Sequence, residues 1–326
     1  MTGELLVVGG RQREPRALRH GQQNWAGYDR GLVLAVDPAT GAIRVRMSYA
    51  PPAERVVNEV AISFQAATLE HGRLYLATEN EVLVVATDRF EIEHRVSHPW
   101  FNDVHHVVPV DGGLLVASAG LELVLDLTLE GEVRHVWHAL GEEPWAVRDP
   151  EVDWRLVAST KPHRAHPNFV FRLGEEVWCT RFQQGDAVCV QDPRRRVQVS
   201  EERIHDGVVA DGRIHFTTVH GQVVIVDAQT LEVLERLDLP TLHGDRRQLR
   251  GWCRGVLPAA GGLLWVGFSR IRPTRFRENV GWVSRGFRRD SPTHIACYDP
   301  QTRTCVAEVD LEAAGLGAVY SVLATA

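Results

Sequence analysis

An all-β fold built from repeated four-stranded units is what this sequence predicts, and three observations predict it. A pattern of apolar strand, tight turn and alternating strand recurs six times. Ahead of five of those copies lies a second hairpin, and each chain end carries one strand without a partner of its own. Repeats are read before local features, because missing them misassigns the whole fold. Together the three give a six-bladed β-propeller of four-stranded blades, one domain spanning residues 1–326, closed by a C-terminal strand that joins the N-terminal blade.

The first unit starts at "ELLVVGG", which already reads as a second strand, and continues through "LVLAVDPATGAIRVRM". The second pairs "SFQAATLEHGRLYLAT" with "VLVVATDRFEIEHRV", and the third pairs "DVHHVVPVDGGLLVAS" with "LVLDLTLEGEVRHV". The fourth follows with "PNFVFRLGEEVWCT" and "AVCVQDPRRRVQV", the fifth with "HDGVVADGRIHFTT" and "VVIVDAQTLEVLERL". The sixth is "CRGVLPAAGGLLWVG" with "IACYDPQTRTCVAEV", after which "GAVYSVLATA" stands alone. That orphan supplies the opening strand the first unit lacks, so residues 318–324 are expected to pair in the blade holding residues 4–9. Asp and Pro suit the recurring turns, since Asp bonds its own backbone and Pro fixes φ. No window sustains a 3.6-residue period, and β-branched residues dominate the apolar runs.

The chain resembles the six-bladed propellers of the NHL, strictosidine synthase and gluconolactonase type over nearly its whole length, through its repeats and closure. The segments "HPNFVF" and "GWCRG" also look like those of uncharacterised bacterial propellers. The resemblance implies blades arranged around a central channel. Calcium-binding gluconolactonase relatives are expected to place carboxylate and amide ligands there. This sequence offers mainly histidines instead, so that activity is not carried over.

Composition excludes several classes. A hydrophobic share of 44% and a charged share of 24% are those of a soluble globular chain. There is no apolar run long enough for a membrane span and no basic, apolar leader. A net charge of −6 argues against nucleic acid as a partner. Five scattered cysteines without framework spacing point to reduced thiols in a cytoplasm. Lys161 is the only lysine, and arginine supplies the remaining basic side chains.

The histidines fall at matching blade positions. Counting nine residues back from the apolar start of each second strand reaches Gln65, His105, Asn168, His205 and Arg254. His166 lies two before Asn168, hence on the same side of a strand. Inner strands of a propeller line the channel, so these side chains are expected to converge at its top. His105 is expected to face the channel and His106 to turn back into its blade. Tyr320, from the closing strand, is placed near the same mouth. The long connections (residues 10–30, 51–62, 141–165, 241–250 and 270–293) all lie on that face. The last carries Arg270, Arg272, Arg275, Arg277, Arg285, Arg288 and Arg289 between aromatic residues, a lid suited to carboxylate or phosphate.

Three accounts of the ring follow. Neutral imidazoles from separate strands can hold a divalent transition metal (iron, copper or zinc) through His105, His166 and His205, with an open position for substrate. Seven-bladed carotenoid oxygenases offer an architectural analogy. Without a metal, the histidines can serve as acid and base for a lyase or isomerase, with Arg254 binding an anion. Alternatively they only hydrogen-bond strand ends, in a propeller that binds a ligand or a protein. The expected activity is an oxidoreductase acting on a small, anionic molecule. Gln65, Asn168, Tyr320 and Arg254 would assist, and Asp206 would orient a histidine.

Overall fold

The computed structural model describes residues 3–13, 27–52, 62–244, 250–270 and 291–325. Its strands form six antiparallel sheets of four strands, arranged as a ring. Blade 1 runs from its innermost strand Leu316–Ala324 outward through Leu5–Gln12 and Tyr28–Val36 to Ile43–Tyr49. The inner strands of blades 2 to 6 are Ala66–Glu70, Val104–Val110, Pro167–Leu173, Ile204–Ala210 and Trp252–Ala259. No helix among the described residues is long and apolar enough to cross a membrane.

The repeated Asp turns have a local cause. The Asp37 carboxylate accepts from Ala39 N and Thr40 N, Asp227 from Gln229 N and Thr230 N, and Asp299 from Gln301 N and Thr302 N. Each reverses the chain from third to fourth strand without a helix.

The apolar strands pack between blades rather than within one sheet. Phe64, Leu74 and Leu83 meet Leu6 and Val33 between blades 1 and 2. Phe171, Trp178 and Phe216 fill the junction of blades 4 and 5. Trp265 packs on Leu34, Val36 and Val319 where blade 6 meets blade 1. Burying each such side chain contributes roughly 1.5–3 kcal/mol, so the junctions hold the ring together.

The ring closes through Leu316–Ala324, whose register with Leu5–Gln12 runs from Leu5↔Ala324 to Arg11↔Leu316. Thr325 Oγ1 donates to Glu4 O at 2.9 Å. A Cβ on Gly9 would lie 1.8 Å from Ala318 O, so only glycine lets the closing strand approach there.

Five of the six inner strands carry a bulge, the closing strand at Tyr320 and four others at matching positions. The register slips between Val104 and His106, Pro167 and Val170, Ile204 and Asp206, and Arg254 and Val256. An extra residue re-aims the side chains around it. This corrects the expectation for His106. The bulge at His105 breaks the period-2 alternation, so His106 borders the central cavity, edge-on to Phe169 of blade 4 at 4.8 Å between ring centroids.

Candidate functional site

The bulges place His105 and His205 at the top of the channel. His105 lies 4.6 Å from His166 and 6.0 Å from His205, ring centroid to centroid. His105 and His205 are buried, and His166 is nearly so. Phe182 stands edge-on to both His166 and His205, at 5.6 and 6.0 Å, and walls off that side.

Two residues that sequence reasoning missed, His163 and Glu79, complete the cluster together with Asp103, which stands beside His105 in "DVHH". His163 stacks on His166, and their Nδ1 atoms are 2.7 Å apart. Asp103 brings Oδ1 to 3.4 Å from His105 Nδ1 and Oδ2 to 4.0 Å from His166 Nδ1. Ligand atoms of Asp103, His163 and His166 all lie within 4.8 Å of one another. Glu79, in the blade 2 connection, faces Asp103 and accepts from Gln65 Nε2 at 3.5 Å. Asp103 and His166 both adopt left-handed backbone, with φ of 52° and 57°. Strained non-glycine residues of this kind cluster at functional sites.

Hydrogen bonds fix which nitrogens are free. Asn102 Nδ2 donates to Trp154 O and Val157 O, so its Oδ1 must accept, and it does so from Thr160 Oγ1 at 3.4 Å. The Thr160 hydroxyl thus accepts from His163 Nε2 at 2.9 Å, leaving Nδ1 of His163 as a lone pair that faces His166 Nδ1 at 2.7 Å. His105 Nδ1 donates to Asp103 O at 2.9 Å, which leaves Nε2 as its lone pair. The loop carrying His163 and His166 is anchored by Glu122, whose Oε1 accepts from Arg164 N and Ala165 N.

Burial sets the protonation of these groups. It pushes His163 down to about 4 and holds His166 well below the usual histidine range, with His105, His163, Lys161 and His205 adding to the effect on His166. His105 is lowered too, mainly by burial, against the opposing charge of Asp103. These three imidazoles are therefore neutral at neutral pH, as metal ligands and bases must be. Glu79 goes the other way: burial, then the Asp103 charge, raises it well above the carboxylate range.

The remaining candidates divide. Arg254 lies over the ring of Tyr320 at 4.6 Å and of Trp252 at 5.3 Å, and its charge reaches His105. Asn168 is buried, donates to Ile204 O at 3.5 Å, and its Oδ1 has no hydrogen-bond partner among the described residues. Asp206 does not sit as expected: Oδ1 accepts from Gly207 N at 2.8 Å and Oδ2 from Gly255 N at 3.1 Å, so its oxygens serve backbone amides across the blade 5–6 junction. Arg270 pairs with Glu312 at 2.7 Å. The other lid arginines (Arg272, Arg275, Arg277, Arg285, Arg288 and Arg289) lie outside the described residues.

Below the imidazoles the channel opens into a cavity of about 870 Å³, walled by Leu69, Val108, Phe171 and Val256 with Asp206 and His106 at its upper end. Of the candidate residues only Asp206 borders it, so the cluster and the cavity are successive levels of one channel.

Neither a protein-family model nor a curated protein matches the chain. Among solved structures, a protein of unknown function from Bacteroides caccae is similar in fold, with a TM-score of 0.63, 11% identity and 99% of each chain covered. The WD40 domain of Neurospora crassa Pan2 matches 76% of this chain and 65% of its own, at 10% identity and a TM-score of 0.46. What the first likeness and the strand order establish together is architecture: the chain is a six-bladed β-propeller.

Proposed function

We propose that this propeller is a metal-dependent enzyme that transforms a small anionic molecule at the top of its channel. The observation that carries the reading is the convergence of donors from blade 3, the blade 3–4 connection and blade 5, with the lone-pair nitrogens of His105 and His163 assigned. His105, His163, His166 and Asp103 would hold a divalent transition metal, with His205 at the edge. Imidazoles with one carboxylate suit iron(II) or zinc better than calcium or magnesium, which take all-oxygen sets. Bound there, the metal would supply Lewis-acid or redox chemistry beside an open position.

The protein's own groups have separable tasks. Lys161 acts electrostatically on Glu79 and on the imidazoles, and Arg254 faces them from the far wall. These two cations receive the substrate's anionic group. Glu79, held protonated by its surroundings, delivers a proton, and Tyr320 under Arg254 is a second donor. Asn168 Oδ1 and Gln65 orient substrate.

Iron would make the protein an oxidoreductase, the activity we favour; zinc would direct the same residues to hydrolytic or lyase chemistry. The 2.7 Å contact between His163 and His166 is also that of a proton shared by two imidazoles. It favours a metal-free acid–base pair as the second reading. Blade number and closure support kinship with NHL, strictosidine synthase and gluconolactonase-type propellers. Five free cysteines, four of them buried, support a cytoplasmic location.

Metal analysis of untagged protein separates the two readings. We expect iron or zinc bound at this site, and loss of that ion in His105→Ala and His163→Ala with the fold retained. Wild-type protein that keeps activity after complete chelation would overturn the metal reading.

A further inference from the structure

A second group of metal-type side chains lies away from the channel, where blade 5 meets the outer edge of blade 6. His243 follows the short helix Leu239–Leu242 that ends blade 5. His294 opens the third strand of blade 6 (His294–Asp299), and Cys305 and Glu308 lie on its fourth (Thr304–Asp310). Residues three apart on a strand normally face opposite ways. Here the register runs Cys297↔Ala307 and then Tyr298↔Cys305, so Val306 bulges out and Cys305 and Glu308 share a face. That face also carries His294 and Tyr298, and His243 covers it.

Ligand atoms of His243, Cys305 and Glu308 lie within 4.8 Å of one another. His294 adds a fourth donor: it is 0% exposed, its Nδ1 donates to Pro292 O at 2.7 Å, and its lone-pair Nε2 points at Glu308 Oε1 from 4.0 Å. His243 Nε2 at 3.2 Å and Arg250 Nη1 at 3.3 Å both serve Glu308 Oε2, which leaves Oε1 to the His294 side.

Ion pairing alone accounts poorly for this pocket. His243 Nδ1, Arg250 Nε, His294 Nε2 and Tyr298 Oη are all buried without a hydrogen-bond partner among the described residues. Leaving such a group unpaired is costly, and four in one place call for an explanation.

We propose that His243, His294, Cys305 and Glu308 bind one zinc(II)-class ion that pins blade 5 to blade 6. A mixed sulfur, nitrogen and oxygen set is the chemistry of zinc, and four protein ligands make the site closed and structural rather than catalytic. Metal–ligand bonds of about 2.0–2.3 Å require donors near 3.5 Å apart, so shifts of roughly an ångström close the trio of His243, Cys305 and Glu308, and His294 swings in beside Glu308 as the fourth ligand. Thiolate and carboxylate balance the charge of a divalent ion. The Cys305 thiol proton, now directed at Ala307 O, leaves on binding. Arg250 stays on Oε2 and fixes the carboxylate from outside.

The channel cluster contains no sulfur, so a thiolate signal reports this site alone. Full-length untagged protein, stripped with chelator, would be titrated with cobalt(II) and followed for a sulfur-to-cobalt charge-transfer band in the near ultraviolet. We expect the band at equimolar cobalt in wild type and in His105→Ala/His166→Ala, and none in Cys305→Ser. We also expect metal-free Cys305→Ser to melt like metal-free wild type, while zinc raises the melting temperature of His105→Ala/His166→Ala but not of the triple variant His105→Ala/His166→Ala/Cys305→Ser. No band in wild type, or a band that survives Cys305→Ser, would overturn the assignment.

Discussion

At the scale of single residues, Asp206 is a carboxyl that the fold keeps from ionising. Two backbone amides and Arg254 favour its charged form, yet burial outweighs them and raises it from 3.8 to about 7. Between those values the folded chain retains a proton that the unfolded chain has lost, so this group's contribution to stability falls as pH rises through that window. Asp206→Asn removes the titration. Compared with the variant, wild type should lose on the order of 4 kcal/mol of unfolding free energy between about pH 4 and pH 7.5. Denaturant midpoints across that range check it; a constant difference between the two proteins would mean that Asp206 titrates normally. Blade counting reached His105, His205 and Arg254 because they occupy the repeating part of the unit. It did not reach Asp103, His163 or Glu79, which sit in connections where no period of two holds. The signal available for His163 was its spacing of three from His166 in "KPHRAHPN".

At the scale of elements, the connection from blade 3 to blade 4 is held down at several points. Trp154 N donates to Pro99 O, Trp100 Nε1 to Pro150 O, and Arg148 Nη2 to Thr160 O. Its final anchor is Glu122, whose carboxylate takes the Arg164 and Ala165 amides on the approach to His166. Hydrogen bonds to a buried charge contribute about 1.5–3 kcal/mol, so Glu122→Ala should lower stability by roughly 2 kcal/mol. It should also weaken metal binding at the channel cluster, with Glu122→Gln restoring part of both. Chemical denaturation and metal titration on the same variants check this; unchanged metal affinity in Glu122→Ala would show that the loop needs no such anchor. The strands themselves were legible from alternation and turn residues. Their bulges were not, since an extra residue in one strand leaves no mark on its apolar pattern, and this is why His106 faces elsewhere than counting implied.

At the scale of the whole molecule, six junctions of buried side chains depend on the ring being shut. The closing strand brings Val319, Tyr320 and Val322, at 0%, 8% and 2% exposure. Their burial contributes roughly 5–9 kcal/mol together, comparable with the net stability of an ordinary domain. Deleting residues 317–326 should therefore abolish cooperative unfolding, as read by calorimetry; a truncated chain that melts like wild type would show that the ring stands without its clasp. The clasp also fixes an order of assembly. The innermost strand of the first blade is the last of all the strands to be synthesised, while the donors of His105, His163, His166 and His205 are made well before it. Because domains fold as units, those imidazoles can converge only after the closing strand has arrived. Any ion the cluster takes would therefore be loaded into a shut ring, with Tyr320 already in place beneath Arg254.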